Sequence, residues 1–280
     1  KRDRFRGGKV VADEDSARRG DASRVDPGAP ATEETSVFPG VRKVAPSAPF
    51  LWLARGWDDF RHAWKSSIFY GVVFALMGWL VVIVFRNAYE YVWGLTTGFL
   101  LVGPFFATGI YELSRQRERG EAVSLAPTID IWRPNLGSIG MFALVLGVLL
   151  LVWSRASLIV IALSFPDEMP SLQGFMESAL SPKNLEFVLA YFAVGGFFAA
   201  LVFAIAVVSV PMMLDRNTDG IVAVLTSLKA FSANVPAMIV WGLSIVVLVS
   251  LGFAAWFVGL VVAVPVIGHA TWHAYRELVE

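Results

Sequence analysis

FVLAYFAVGGFFAALVFAIAVVSVPMML, residues 187–214, runs for twenty-eight positions without an Asp, Glu, Lys or Arg. A helix needs about 20 apolar residues to cross the roughly 30 Å hydrocarbon core of a bilayer. The stretch therefore reads as a transmembrane helix, long enough to be tilted or extended. Upstream, Gly137 to about Ser164 is apolar except for Arg155, Ile68 to Phe85 is uncharged throughout, and so is Tyr91 to Tyr111. Arg86, Asn87 and Glu90 separate the last two stretches. Downstream, Phe231 to Tyr275 holds no charged side chain and is too long for one ordinary span, so it divides near Leu251 to Ala255. The expected fold class is an all-α membrane protein with six transmembrane helices, at approximately 68–85, 91–111, 138–164, 187–214, 235–252 and 255–275.

Composition points the same way. Of 280 residues, 56% are hydrophobic and 16% charged, against roughly 25% charged in an average soluble domain, and mean hydropathy is +0.62. The absence of cysteine excludes disulfides, thiolate catalysis, iron–sulfur clusters and thiolate zinc sites. Residues 1–44 mix ten basic and eight acidic residues with Ala, Gly, Ser and Pro, show no periodicity, and are expected to form a disordered cytoplasmic tail. That near-cancelling charge argues against a nucleic-acid partner. No apolar run in the tail reads as a signal peptide. The membrane domain is then 45–280.

Positive residues set the orientation, because Lys and Arg in short loops are retained on the cytoplasmic side. With the N-terminus inside, 20 of the 23 basic residues lie on the cytoplasmic side, leaving Arg86, Arg155 and Lys183 opposite. The loop after span three carries Asp167, Glu168, Glu177 and Glu186. Both termini are expected to be cytoplasmic.

A repeat is visible in how the spans are flanked. Short polar and aromatic segments, Trp57–Ser67, Ala122–Asn135 and Gly220–Asn234, precede the odd spans and suit a cytoplasmic interfacial helix. Each even span carries a proline, Pro104, Pro211 or Pro265, followed by polar residues: Tyr111, Glu112, Ser114 and Arg115; Asp215 and Arg216; His269, His273, Tyr275 and Arg276. Three helix-hairpin units are expected, with these clusters converging at the cytoplasmic end. Asp215 or Glu112 could then pair with Arg115, Arg216 or Arg276, either as a site or as a clamp between helices.

Two further features draw attention. His269 and His273 stand four residues apart on one helix face, a spacing that can hold a metal, although a complete site needs carboxylates from elsewhere. The alternative is an interfacial belt with Trp272 and Tyr275. Arg155 is the single charge inside an expected span, and its position near the outer interface lets it snorkel to water. No phosphate loop, nucleophile triad, dinucleotide fingerprint or paired-carboxylate signature is present in the sequence. Neither a catalytic residue nor a cofactor is therefore expected.

WLARGWDDF (52–60), GFLLVGPFFATGIYELSRQRERGE (98–121), VVSVPMMLDR (207–216) and PVIGHATWHAYRELV (265–279) together resemble the bacterial integral-membrane family called domain of unknown function 2189. The resemblance covers about Val44 to Glu280 and implies a bacterial inner-membrane location. Some members are labelled cytochrome c oxidase subunits, but the chain lacks the set of histidines on several helices that a haem–copper subunit needs. The expected role is a non-catalytic accessory, assembly or scaffold protein, with the lipid bilayer and subunits of a membrane complex as partners. A small-solute transporter or channel and a metal-handling protein are the alternatives.

Overall fold

The computed structural model describes residues 38–88, 91–165 and 185–280. Most of the expected disordered tail, residues 1–44, and most of the acidic loop beyond span three fall outside them, whereas residues 38–44 and Glu186 are described. Nine α-helices are present among the described residues: α1 (Ala48–His62), α2 (Trp64–Asn87), α3 (Val92–Glu118), α4 (Leu136–Ser164), α5 (Leu185–Ala206), α6 (Ser209–Arg216), α7 (Gly220–Ala233), α8 (Val235–Ala254) and α9 (Leu260–Leu278). Five segments are long and apolar enough to cross a membrane: α2, α3, α4, α5 continued by α6, and α8. Only helices and closed barrels satisfy every backbone group inside lipid, which is why charge-free runs of this length fold as helices.

Nineteen-residue α9 falls outside that set because its second half carries His269, Thr271, His273, Arg276 and Glu277. It is nevertheless central, packing against α1, α2, α3, α6 and α8. Glycines permit its closest approaches. A methyl on Gly56 of α1 would stand 2.6 Å from the Ala270 backbone nitrogen, and one on Gly71 of α2 would collide with the Val261 carbonyl. Between α8 and α9 the chain reverses at 255–259, just past the expected division, with Trp256 and Phe257 at positive φ.

The segments before the odd spans differ in form. Trp57–Ser67 covers the end of α1 and the start of α2, and Gly220–Asn234 is α7. Ala122–Asn135 instead makes two 3₁₀ turns, Ala126–Thr128 and Arg133–Asn135. Pro127 and Pro134 explain this, since each removes an amide donor and tolerates only the first turn of a helix.

Pro104 and Pro265 lie inside continuous helices, whereas the run that contains Pro211 breaks at Val207–Val208, between α5 and α6. Ser227 of α7 repairs the break: its hydroxyl donates to the Ala204 carbonyl at 2.7 Å and accepts from the Val208 amide at 3.2 Å. Irregular backbone at this depth is tolerable only with such a substitute partner.

The N-terminal segment is anchored earlier than the expected boundary at residue 45. Val41 bridges Val279 antiparallel, the Arg42 amide donates to the Leu278 carbonyl at 2.8 Å, and the Glu280 amide donates to the Gly40 carbonyl at 3.0 Å. Asn234 at the α7–α8 junction clasps the same segment, accepting from the Val44 amide at 2.8 Å and donating to the Arg42 carbonyl at 2.9 Å. Single amino acids of ordinary polarity make these contacts, so no hydropathy pattern announces them.

Candidate functional site

The polar ends of α3, α6 and α9 meet one another. Glu112 and Arg115 pair at 2.5 Å within α3, and Arg115 Nη1 donates to the Leu214 carbonyl of α6 at 3.1 Å. From α9, the Tyr275 hydroxyl donates to Asp215 at 2.7 Å and accepts from Arg216 Nε at 3.0 Å. Arg276 reaches Asp215 at 3.4 Å and Glu118 at 2.8 Å, while Trp272 Nε1 donates to Glu118 at 2.9 Å. Arg216 also donates to the Glu280 carbonyl. Of the residues singled out from sequence, Tyr111 lies apart, buried in the apolar core.

Beside this cluster runs a second network that sequence reasoning did not assemble. Asp59, on the buried face of α1, is 4% exposed. Its Oδ2 accepts from the Ser114 hydroxyl at 2.7 Å and from His273 Nε2 at 2.8 Å, and its Oδ1 receives Arg117 Nη1 at 2.5 Å. Burial opposes ionisation of Asp59, but the bonds from His273 and Ser114 outweigh it and hold the carboxyl below the usual range. Its neighbour Asp58, exposed, is lowered chiefly by its bond from Arg117 at 2.5 Å.

The network continues inward to His269, which is wholly buried. A carboxylate only accepts, so the one hydroxyl proton of Ser114 is committed to Asp59. Toward His269 Nδ1, at 2.7 Å, Ser114 must then accept. This assigns the imidazole proton to Nδ1 and leaves Nε2 to accept from the Ser67 hydroxyl of α2 at 2.9 Å. Four helices, α1, α2, α3 and α9, are thus joined through one histidine.

Hydroxyl, imidazole and carboxylate here resemble the parts of a nucleophilic centre, but the arrangement differs from one. Asp59 contacts Ser114 rather than the His269 imidazole that Ser114 adjoins, and Ser67 and His269 are both fully buried. A cavity of about 270 Å³, lined by Arg55, Asp59, Arg117, Glu118 and His273 among others, reaches Ser114 but not Ser67.

His273 and His269 spend their described contacts on Asp59 and on two hydroxyls, and among the described residues no group of three His, Asp or Glu side chains is placed to hold a metal. Arg155 is exposed on α4, nineteen residues beyond its first and so about 29 Å along the axis.

A periodic signal for Asp59 exists in the sequence. Trp52, Gly56, Asp59 and Ala63 follow the spacing of one helical face, and all four are buried. Nothing but that register separates Asp59 from Asp58.

Residues 92–215 match the family model described as predicted integral membrane protein (DUF2189). The match covers 124 of the 280 residues and extends from the start of α3 to Asp215, so it includes Glu112, Ser114, Arg115 and Arg117. Comparison with curated proteins gives no match, and neither does comparison with solved structures. The chain is an integral membrane protein built of several apolar helices.

Proposed function

We propose that the protein is a six-span inner-membrane scaffold: a non-catalytic accessory or assembly subunit of a membrane complex, with both termini in the cytoplasm. The observation that carries the functional part is how the charged side chains at the helix ends are used. Asp59, Glu118, Asp215, Arg117, Arg276 and His273 bond one another across α1, α3, α6 and α9, which is what a clamp does and what a solute-coordinating site does not. The larger cavities support the same reading, because they are mainly apolar furrows between neighbouring elements: Val73, Met77, Leu95 and Phe99 line one of about 460 Å³ between α2 and α3.

The even number of spans rests on the termini. Gly40–Arg42 pair directly with Leu278–Glu280, so both ends of the domain lie on one side of any bilayer it crosses. Five crossings would separate them; α9 is the sixth. The flanking elements also support three units arranged in a cycle. α1 packs on α9, the first 3₁₀ turn on α3, and α7 on α5 and α6, so each unit's leading element lies against the proline-marked span of another.

Purification in mild detergent tests the role. Recovery with subunits of a membrane complex is expected; recovery alone, with normal haem spectra in a deletion strain, contradicts a respiratory scaffold. One observation favours the transporter reading instead: the α5–α6 break, since interrupted helices often border substrate sites. Uptake by reconstituted protein, abolished in an Arg155→Ala variant, would support that reading over the scaffold.

A further inference from the structure

The seam between α2 and α3 is furrowed along its outer face. Near the end that carries α1, Phe69, Phe105, Ile129 and Trp132 help to line a cavity of about 410 Å³. Val102 and Phe106 line it too, and they also line a second cavity of about 460 Å³ formed with Val73, Met77, Gly94 and Gly98. The two spaces share these side chains and lie end to end along the α2–α3 seam, together making up the furrow. From Gly94 to Phe106 it covers about 18 Å of helix, slightly more than half of a hydrocarbon core of roughly 30 Å, which is the depth of one leaflet. Glycine keeps it open: a methyl on Gly94 or Gly98 meets nothing within 4 Å.

The end of the furrow is basic. Lys65 lies one helical turn before Phe69 on the same face of α2, with its ammonium 5.6 Å from the centre of the Trp64 ring. Arg61 precedes it by four residues and is exposed. Neither has an acidic partner among the described residues, while across the furrow Asp130 is engaged by Arg133 at 3.6 Å. Exposed Phe50, Trp57 and Trp64 follow the same outward stripe of α1 and its junction with α2, the amphipathic belt that sits at headgroup level. The linings of both furrows are uncharged, but along α4 and α5 no Lys or Arg stands three or four residues from a lining position, so the furrow between those helices lacks such a basic end.

We propose that the α2–α3 furrow is a binding site for one anionic phospholipid, an acyl chain lying along Gly94, Gly98 and Val102 and the headgroup phosphate held by Lys65 and Arg61. A lipid is the occupant because the furrow opens sideways from two membrane-crossing helices, and an anionic one because its rim offers two uncompensated positive charges.

Delipidated full-length protein in detergent, titrated with phosphatidylglycerol or phosphatidylcholine and read by native mass spectrometry, tests this. Wild-type protein is expected to retain one phosphatidylglycerol preferentially. Lys65→Ala should weaken that binding about fivefold, the effect of one basic residue at an anionic lipid surface. Gly98→Leu, which fills the furrow, should abolish it, whereas Gly195→Leu in the α4–α5 furrow should leave it unchanged. Because Lys65 is exposed, its variant tests the headgroup contact without disturbing packing. Equal retention of the two lipids by wild type, unchanged binding in both Lys65→Ala and Gly98→Leu, or an equal loss in Gly195→Leu would each overturn the proposal.

Discussion

At the residue scale, Asp59 ties the structure together. Its side chain is buried, and it receives Ser114, His273 and Arg117. Asp59→Asn removes the charge and leaves the Arg117 guanidinium facing a neutral group. Breaking a buried pair in this way costs about 3–5 kcal/mol, which a thermal melt in detergent reads as a lower midpoint. The pH dependence has a definite sign. Because the folded carboxyl is held below its ordinary value, its contribution is fully present above the unfolded value of about 3.9 and disappears as pH falls through the folded value. The gap between wild type and Asp59→Asn should therefore be constant near neutrality and close on acidification below about pH 4; a gap that widened there would contradict the assignment. In the sequence only the Trp52, Gly56, Asp59 and Ala63 spacing marks this residue, because Asp58 and Asp59 are chemically identical and the register of α1 alone buries the second.

At the scale of elements, the break between α5 and α6 depends on a side chain from α7. Ser227→Ala leaves the Ala204 carbonyl and the Val208 amide without the partner they have now, a loss of roughly 1–3 kcal/mol. Hydrogen exchange at Val208 should rise in that variant while α2 stays protected. Helix contacts offer a paired comparison. Gly71→Ala sets a methyl against the Val261 backbone, where neither helix can yield without separating, and should destabilise the protein by at least ~1 kcal/mol. Gly140→Ala in α4 meets nothing within 4 Å and should stabilise it by up to about 1 kcal/mol through the higher helix propensity of alanine. If both substitutions shifted the melting point alike, close α2–α9 packing would be wrong.

For the whole molecule, the apolar segments were legible because lipid admits long uncharged runs and little else. The strands of charge between them gave the boundaries to within a few residues for most spans, and the reversal between α8 and α9 lies just beyond the point where the charge-free run was divided. What hydropathy could not convey was the status of α9. Its second half exchanges apolar residues for His269, Thr271 and His273, which find their partners on α1, α2 and α3 or, for Thr271, in its own preceding turn, so the charge-free run marked it as an expected span while its mean hydropathy falls short of the other five and its packing makes it central. The 3₁₀ form of the segment before α4 follows from two prolines present in the sequence, whereas the pairing of Gly40–Arg42 with Leu278–Glu280 runs through the backbone and carries no side-chain signature. Of the polar residues singled out, the structure gathers Glu112, Arg115, Asp215, Arg216, Tyr275 and Arg276; Arg117, Glu118 and Asp59 join them only through three-dimensional proximity.

Six crossings with paired termini is the claim on which the rest depends, and the cysteine-free chain makes it directly measurable. Single cysteines replacing Trp256, at the exposed reversal between α8 and α9, and Glu280, at the C-terminus, can be challenged with a membrane-impermeant maleimide in spheroplasts. The six-span account predicts labelling of Trp256→Cys in intact spheroplasts, and labelling of Glu280→Cys only after the membrane is opened. Labelling of Glu280→Cys from outside intact spheroplasts would contradict it.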